Sequence, residues 1–408
     1  MPLNKKNIAI VVQRAGEDIV GGSEGYALSM AKILANTCTV DIISTTARDH
    51  VTWKNVYPEG VTRISDSLRI IRFSVAFERE TYWFELDRIM TKGITLDIFE
   101  SMPDAERSEF IEYKRKLPLG LGEEWIKHEG PYSPGLLTYL SEQSDRYDHV
   151  IFMTYLYPTT YFGVDRIRDP QKVFFVPTYH DESPAYLSNF GKYKRYKHLF
   201  LTNAEKNIAE RNLYQAGVQS SIIGFGVKDR FDEFALSATG SVERYILYAG
   251  RIEAAKGVHH LFKLFERFSE ERRDMKLYLI GDGILKDYQH KNIIYKGFVS
   301  EEEKLVLMKN AVAFVHPSAF ESLGIVLLES FMMGTPALVN RRSDVLHEHI
   351  VNSRAGYSYD TYEEFRDALN AMTEDRSHYD ALCRNGRDYF VRHYSLAAYQ
   401  DRLTNIFI

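Results

Sequence analysis

The sequence predicts an α/β protein of two units, each a mostly parallel sheet covered by helices. Three observations lead there. A chain of 408 residues is long for one hydrophobic core and suits two. Short β-rich runs alternate with amphipathic stretches, the pattern of parallel strands joined through helices. The alternation stops at a polar stretch, Ser237–Glu243, and then starts again.

In the first half the predicted strands are Asn7–Gln13, Thr39–Thr45, His149–Tyr155, Lys172–Val176, His198–Leu201 and Ser221–Ile223. Helical patterns cover Ser23–Ala35 and Ala204–Tyr214. Between Ala76 and Trp125 the chain is charged and poor in β-branched residues, and it reads as inserted helices, Phe84–Met90 and Asp104–Lys116. Such insertions either shape a substrate site or merely elaborate the scaffold. In the second half the strands are Tyr245–Ala249, Lys276–Ile280, Asn292–Tyr295, Val312–His316 and Ala337–Val339. Gly257–Phe268, Glu301–Lys309 and Ile325–Met333 are the helices between them. No repeat of about 20–50 residues is present.

Composition narrows the function classes. The 45% hydrophobic and 26% charged fractions are those of a globular protein. With 51 Lys and Arg against 56 Asp and Glu the net charge is −5, so no global basic field points to nucleic acid. The apolar run Ile8–Val12 is short for a signal peptide, and no run reaches the ~18 apolar residues of a membrane span. Cys38 and Cys383 lack metal-ligand spacing, and with them the expectation is a reducing, cytoplasmic location.

In parallel α/β sheets ligands bind beyond the carboxyl ends of strands, so strand-to-helix loops carry the information. The first, Arg14 to Glu24, holds Gly21 and Gly22 where a helix opens. Its unpaired N–H groups and dipole favour an anion, although an ordinary tight turn explains two glycines equally well. The loop after Tyr245–Ala249 holds Arg251 and Lys256. These are either a fork and a mobile charge for a diphosphate, or two solvated cations. After Val312–His316, Glu321 lies in the loop, Gly324 opens a helix, and Glu329 falls in its second turn. A carboxylate there can accept two hydrogen bonds from vicinal ribose hydroxyls. His180, in Pro177–Ser183 beyond a strand end, is one of thirteen histidines, and Asp181 or Glu182 beside it are candidate helix caps.

Taken together, Gly21-Gly22, Gly250-Arg251 with Lys256-Gly257, Gly281-Asp282-Gly283, Lys296-Gly297-Phe298-Val299-Ser300, and Glu321 with Glu329 resemble family 4 retaining glycosyltransferases of GT-B fold. The likeness is dense from about residue 245 to 340 and sparse before. It implies two facing Rossmann-like domains with a cleft between them. The expected bounds are 1–224 for the acceptor side, rejoined by a helix at 395–408, and 225–394 for the donor side. It also implies a metal-independent transfer, without cofactor, from a UDP-, GDP- or dTDP-linked sugar to a glycan, lipid-linked or small-molecule acceptor, as in cell-surface polysaccharide synthesis. No Asp-x-Asp occurs, in keeping with that.

By the resemblance, Arg251 and Lys256 grip the diphosphate and Glu329 the ribose. Glu321 and the backbone of Leu323, Gly324 and Ile325 hold the donor sugar, Phe298-Val299 line the base, and Gly22 and His180 stand opposite. Arg251, Lys256, Glu321 and His180 are the catalytic candidates. Gly224-Phe225-Gly226-Val227 and Asn340-Arg341-Arg342-Ser343-Asp344 depart from the family pattern, which leaves donor-sugar identity open. Lys192–His198, basic and aromatic by turns, is either a contact with the inner face of an anionic membrane, as some family members make, or a solvated helix end. A non-catalytic sugar-nucleotide sensor of the same fold is the alternative function. A two-domain periplasmic binding protein is a second one, disfavoured by the short apolar run at the start.

Overall fold

The computed structural model describes residues 5–19, 22–95, 98–99, 102–234 and 243–408. Gly21 and most of the polar stretch Ser237–Glu243 therefore lie outside the described residues. The chain divides into two units, one running to Ile223 and resuming at Gln400–Ile408, the other spanning Gly224–Tyr399.

The first unit is an eight-stranded sheet. Its strands are β1 Asn7–Val11, β2 Thr39–Thr45, β3 Gly60–Ser65, β4 Leu68–Phe73, β5 His149–Met153, β6 Val173–Val176, β7 Lys197–Phe200 and β8 Ser220–Ile222. Their order is β3-β4-β2-β1-β5-β6-β7-β8. All pairings are parallel except the β3–β4 hairpin at the edge. Strands β1 and β5 are buried from their second residue onward, as expected of apolar runs covered on both faces.

The sequence reading contains no strands at β3 and β4, and the reason is charge. Arg69 and Arg72 interrupt the apolar pattern of β4, yet both guanidiniums are accommodated. Arg69 grips Asp41 at 2.6 and 2.9 Å. Arg72, almost fully buried, donates to the Ala15 carbonyl at 2.7 Å and so braces the loop after β1.

Among the described residues the insertion contains the helices Thr81–Thr91, Asp104–Lys116 and Leu119–Glu129. Its middle helix packs Phe110 with Phe99 on Tyr186, a small separate core. The predicted helix Ala204–Tyr214 is α-helical only over Asn203–Asn207, and continues as a π-helical turn, Ile208–Leu213. The basic and aromatic run Lys192–His198 turns its rings inward, with Tyr193 and Tyr196 buried. Lys192 and Arg195 both pair with Asp165, at 2.7 and 2.6 Å.

The second unit is a six-stranded, wholly parallel sheet. Its strands are β9 Arg244–Ala249, β10 Met275–Ile280, β11 Ile293–Gly297, β12 Ala313–His316, β13 Ala337–Asn340 and β14 Gly356–Tyr359, in the order β11-β10-β9-β12-β13-β14. Numbered within the unit this is 3-2-1-4-5-6, so the strand order reverses between β9 and β12. A crevice opens at such a reversal because successive helices leave to opposite faces. The first unit has the same reversal, between β1 and β5.

Three glycines let the loops above β9, β10 and β12 meet backbone to backbone. A Cβ on Gly281 would lie 2.0 Å from the Gly250 carbonyl oxygen, one on Gly283 2.4 Å from that of Ile252, and one on Gly257 2.3 Å from that of Pro317. Gly22 differs. It is the first residue of the helix Gly22–Leu34, and a Cβ there meets nothing within 4 Å. Gly281→Ala is therefore expected to destabilise the protein by roughly 1–3 kcal/mol, whereas Gly22→Ala leaves stability equal or raised by about 0.5–1 kcal/mol. Urea unfolding of the two variants checks this, and equal midpoints would show that the loop contact carries no strain.

Candidate functional site

In the second unit the loops after β9 and β12 bring two of the predicted residues into contact. β9 ends at Gly250, whose φ of 151° turns the chain away from the sheet. The Tyr248 hydroxyl then donates to the Arg251 carbonyl at 2.5 Å, and the Ile252 N–H to the Asp282 carbonyl at 2.9 Å. A short 3-10 turn, Ala254–Lys256, precedes Gly257, whose φ of 72° starts the helix Val258–Glu271. Lys256 thereby points at the neighbouring loop, and its ammonium lies 2.6 Å from Glu321 Oε1. Arg251 stays outside, 62% exposed, with Glu253 at 3.2 Å.

His316, at the end of β12, was not singled out from the sequence. Its Nε2 lies 3.7 Å from Glu321 Oε1, and its buried Nδ1 has no hydrogen-bond partner among the described residues. Burial, only partly offset by Glu321, pushes its pKa down to about 4, so the ring is neutral at pH 7. Beyond it, Asn340 Nδ2 donates to the Pro317 carbonyl at 2.9 Å. The departure Asn340–Asp344 thus serves as a brace, with Ser343 capping the helix Asp344–Ser353.

The Leu323-Gly324-Ile325 backbone is held from behind by another residue that the sequence reading passed over. His349 Nε2 meets the Leu323 carbonyl at 2.8 Å, and its Nδ1 faces the Tyr389 hydroxyl at 3.0 Å. Gly324, at φ 73°, takes the left-handed conformation that favours glycine where the helix Ile325–Met332 opens, and a Cβ there would push on the Leu346 side chain at 2.7 Å.

Glu329 lies within that helix, largely but not fully buried, with Lys304 of the helix Glu301–Asn310 at 2.9 Å from its Oε2. Burial raises its pKa, against the pull of Lys304. Phe298, after β11, is 84% exposed, and Val299 is half-buried.

In the first unit His180 follows β6. Its Nδ1 stands 3.5 Å from Glu182 Oε1, which accepts from the Tyr155 hydroxyl at 2.8 Å. Neither neighbour caps a helix. Glu182 makes no capping hydrogen bond, and Asp181 binds the Tyr186 hydroxyl and Arg107. The loop is fixed from below by fully buried Glu205, which accepts the N–H groups of Tyr179 at 2.8 Å and Leu201 at 2.6 Å. Burial pushes the Glu205 pKa up to about 7. Beside Gly22, Gln13 and Arg14 hold buried Glu24 at 2.9 and 2.8 Å.

Residues 229–389 match the family model of glycosyl transferases, group 1. Over 122 residues the chain is 33% identical to an uncharacterized glycosyltransferase of Methanocaldococcus jannaschii, covering 27% of this chain and 31% of that protein. Among solved structures, a sucrose-phosphate synthase from Thermosynechococcus elongatus superposes with a TM-score of 0.68 at 16% identity, over 99% of this chain and 98% of that one. Anabaena HepE, solved in complex with UDP and glucose, gives 0.62 at 14% identity over 98% and 99%. These structural likenesses establish the fold, that of GT-B glycosyltransferases. No helix among the described residues is long and apolar enough to cross a membrane.

The buried histidines generate a pH prediction. His349, like His316, is held near pKa 4 by burial, whereas an unfolded imidazole titrates near ~6.5. Below that value the unfolded chain binds more protons, so this contribution to stability is complete above pH ~6.5 and is lost progressively toward pH 4. Glu205 runs the other way, so the histidine term must be isolated by substitution. The fall in urea midpoint over this range is expected to be shallower in His349→Gln than in the parent protein, and parallel curves would rule the assignment out.

Proposed function

We propose that the protein transfers a sugar from a nucleotide-sugar to an acceptor hydroxyl with retention of configuration and without a metal, as family 4 glycosyltransferases do. The observation that carries this reading is the contact of Lys256 with Glu321 at the strand reversal, with exposed Arg251 in the same loop. Two cations at a sheet's carboxyl edge suit a diphosphate, and among the described residues Arg251 is held by an exposed ion pair of small worth. A carboxylate tied to one of those cations suits the hydroxyls of the attached sugar. The group 1 match over the second unit and the UDP and glucose complex of HepE support the same donor chemistry.

On this reading Glu329, kept in place by Lys304, accepts the ribose hydroxyls, and the backbone at Leu323–Ile325 offers N–H groups to the sugar. Phe298 and Val299 border the base. Gly22 and His180 serve the acceptor side. In the reaction the C1–phosphate bond breaks as the acceptor oxygen bonds to C1 from the same face, and the departing phosphate oxygen takes the acceptor's proton. Negative charge grows on that oxygen, so a cation aimed at it helps the transition state more than the ground state. Cell-surface polysaccharide synthesis is the setting we favour, with a glycan or lipid-linked acceptor and work at the cytoplasmic face of the membrane.

Lys256→Ala or Arg251→Ala is expected to lower kcat by about 10²–10³-fold beyond any rise in KM. Affinity lost with turnover intact would favour a sensor instead. Titration calorimetry with UDP and GDP should show weaker binding to Glu329→Gln than to the parent, and equal affinity would remove Glu329 from the ribose. Activity should survive EDTA, and NMR should show the donor's anomeric configuration in the product. Loss with EDTA that manganese restores, or an inverted product, would defeat the mechanism.

A further inference from the structure

The helical insertion encloses a second feature that the donor chemistry does not use. Its middle helix, Asp104–Lys116, faces the loop after His180 and the π-helical turn Ile208–Leu213 across a pocket of about 380 Å³. Three guanidiniums line it, those of Arg107, Arg115 and Arg211. They come from two separate segments and differ in how they are engaged. Arg107 pairs with Asp181 at 3.2 Å and lies over the Phe99 ring at 4.3 Å. Arg115 donates to the Asn212 carbonyl and leaves its guanidinium 5.6 Å from the Tyr186 ring centre. Arg211 is exposed and has no hydrogen-bond or ion-pair partner among the described residues.

Charge in the pocket does not balance. Asp181 and Asp104 are the two carboxylates on the wall, against three arginines. Asp181 is already taken by Arg107 and the Tyr186 hydroxyl. One positive charge is left over, and Arg211 is where it resides. Holding the insertion to the scaffold needs Arg107 and Arg115, and Arg211 adds nothing to that. The turn that carries it is π-helical, a local irregularity that recurs at functional sites.

We infer that this pocket binds a phosphate ester, and that the phosphate belongs to the acceptor. Guanidinium forks converging from separate segments match a tetrahedral phosphate better than a planar carboxylate. The volume lies within the range of small-molecule sites. Asp181 directly follows His180, so a phosphate seated here holds the rest of its molecule beside the loop assigned to the acceptor. The assignment to an acceptor rests on the proposed transferase function, whereas phosphate binding itself does not.

Calorimetry on the full chain tests it, with glucose 6-phosphate and neutral glucose as probes. A lipid-borne phosphate is tested by co-sedimentation with phosphatidylcholine vesicles, with and without phosphatidic acid. Binding to glucose 6-phosphate, or to the acid-containing vesicles alone, is expected, and the arm that responds names the source. Arg211→Gln, a surface change, should weaken that binding by about tenfold or more with the thermal unfolding curve unchanged. Equal binding of neutral glucose, equal binding by Arg211→Gln, or no response from either probe overturns the proposal. UDP titrated into the same samples separates the two readings. Lys256→Ala should weaken UDP binding and spare the phosphate probe, whereas failure of the donor reading alone removes UDP binding and leaves the pocket's response intact.

Discussion

The contact on which the second unit's chemistry depends is one of backbone against backbone, where Gly281 lies over the Gly250 carbonyl and Gly257 over that of Pro317. Main chain packed this closely leaves no room for a side chain, and it couples three loops that are far apart in sequence. Once β9, β10 and β12 are paired in register, the loops above them have little freedom to move separately. The meeting of Lys256 with Glu321 follows from this crowding. A lysine has a long flexible stem, and its reach is useful only because Gly257 lets the turn below it sit against Pro317. Gly324 differs, since there it is the Leu346 side chain rather than backbone that a Cβ would meet.

Electrostatics then refine what packing has arranged. Every acidic residue assigned to the donor site is balanced by a cation from another element, Glu321 by Lys256 and Glu329 by Lys304. A buried carboxylate without such a partner would protonate and lose its use as an acceptor of hydrogen bonds. His316 and His349, stripped of water, stay neutral, so they add shape and hydrogen bonds to this region without adding charge. The cations that an anionic ligand meets among the residues assigned to it are Arg251 and Lys256, and Arg251 is the more exposed of the two.

Much of the architecture was legible in the sequence because parallel strands buried on both faces are written as apolar runs, as in Tyr245–Ala249 and Lys276–Ile280. Where a strand carries cations, as β4 does at Arg69 and Arg72, the pattern is broken and only the partners Asp41 and Ala15 explain the burial. Strand β14, Gly-Tyr-Ser-Tyr, is short and half polar, and it becomes a strand through its register with β13. The loop residues of the candidate site were legible for another reason, namely that loop chemistry is compressed into few positions. Their supports were not. Lys304 and His349 belong to helices whose own sequences say nothing about Glu329 or Leu323, and the pocket beside His180 exists only once the insertion has docked.

The last turns of the chain bear on how the molecule is made. Phe407 is buried in the first unit, 4.9 Å from the Phe174 ring and 5.6 Å from His149, and Arg402 donates to the Ile223 carbonyl at 2.8 Å. The segment Gln400–Ile408, the end of a helix, thus packs into a unit whose other residues all precede Gly224 in the chain. During synthesis the second unit has its whole sequence before the first does, although it starts later. The surface around Phe174 and His149 stays uncovered until the helix that carries Phe407 has been made. Nesting one unit inside the other in this way reverses the order in which a simple tandem would mature, and it makes the tail a closing clasp for the half that was synthesised first.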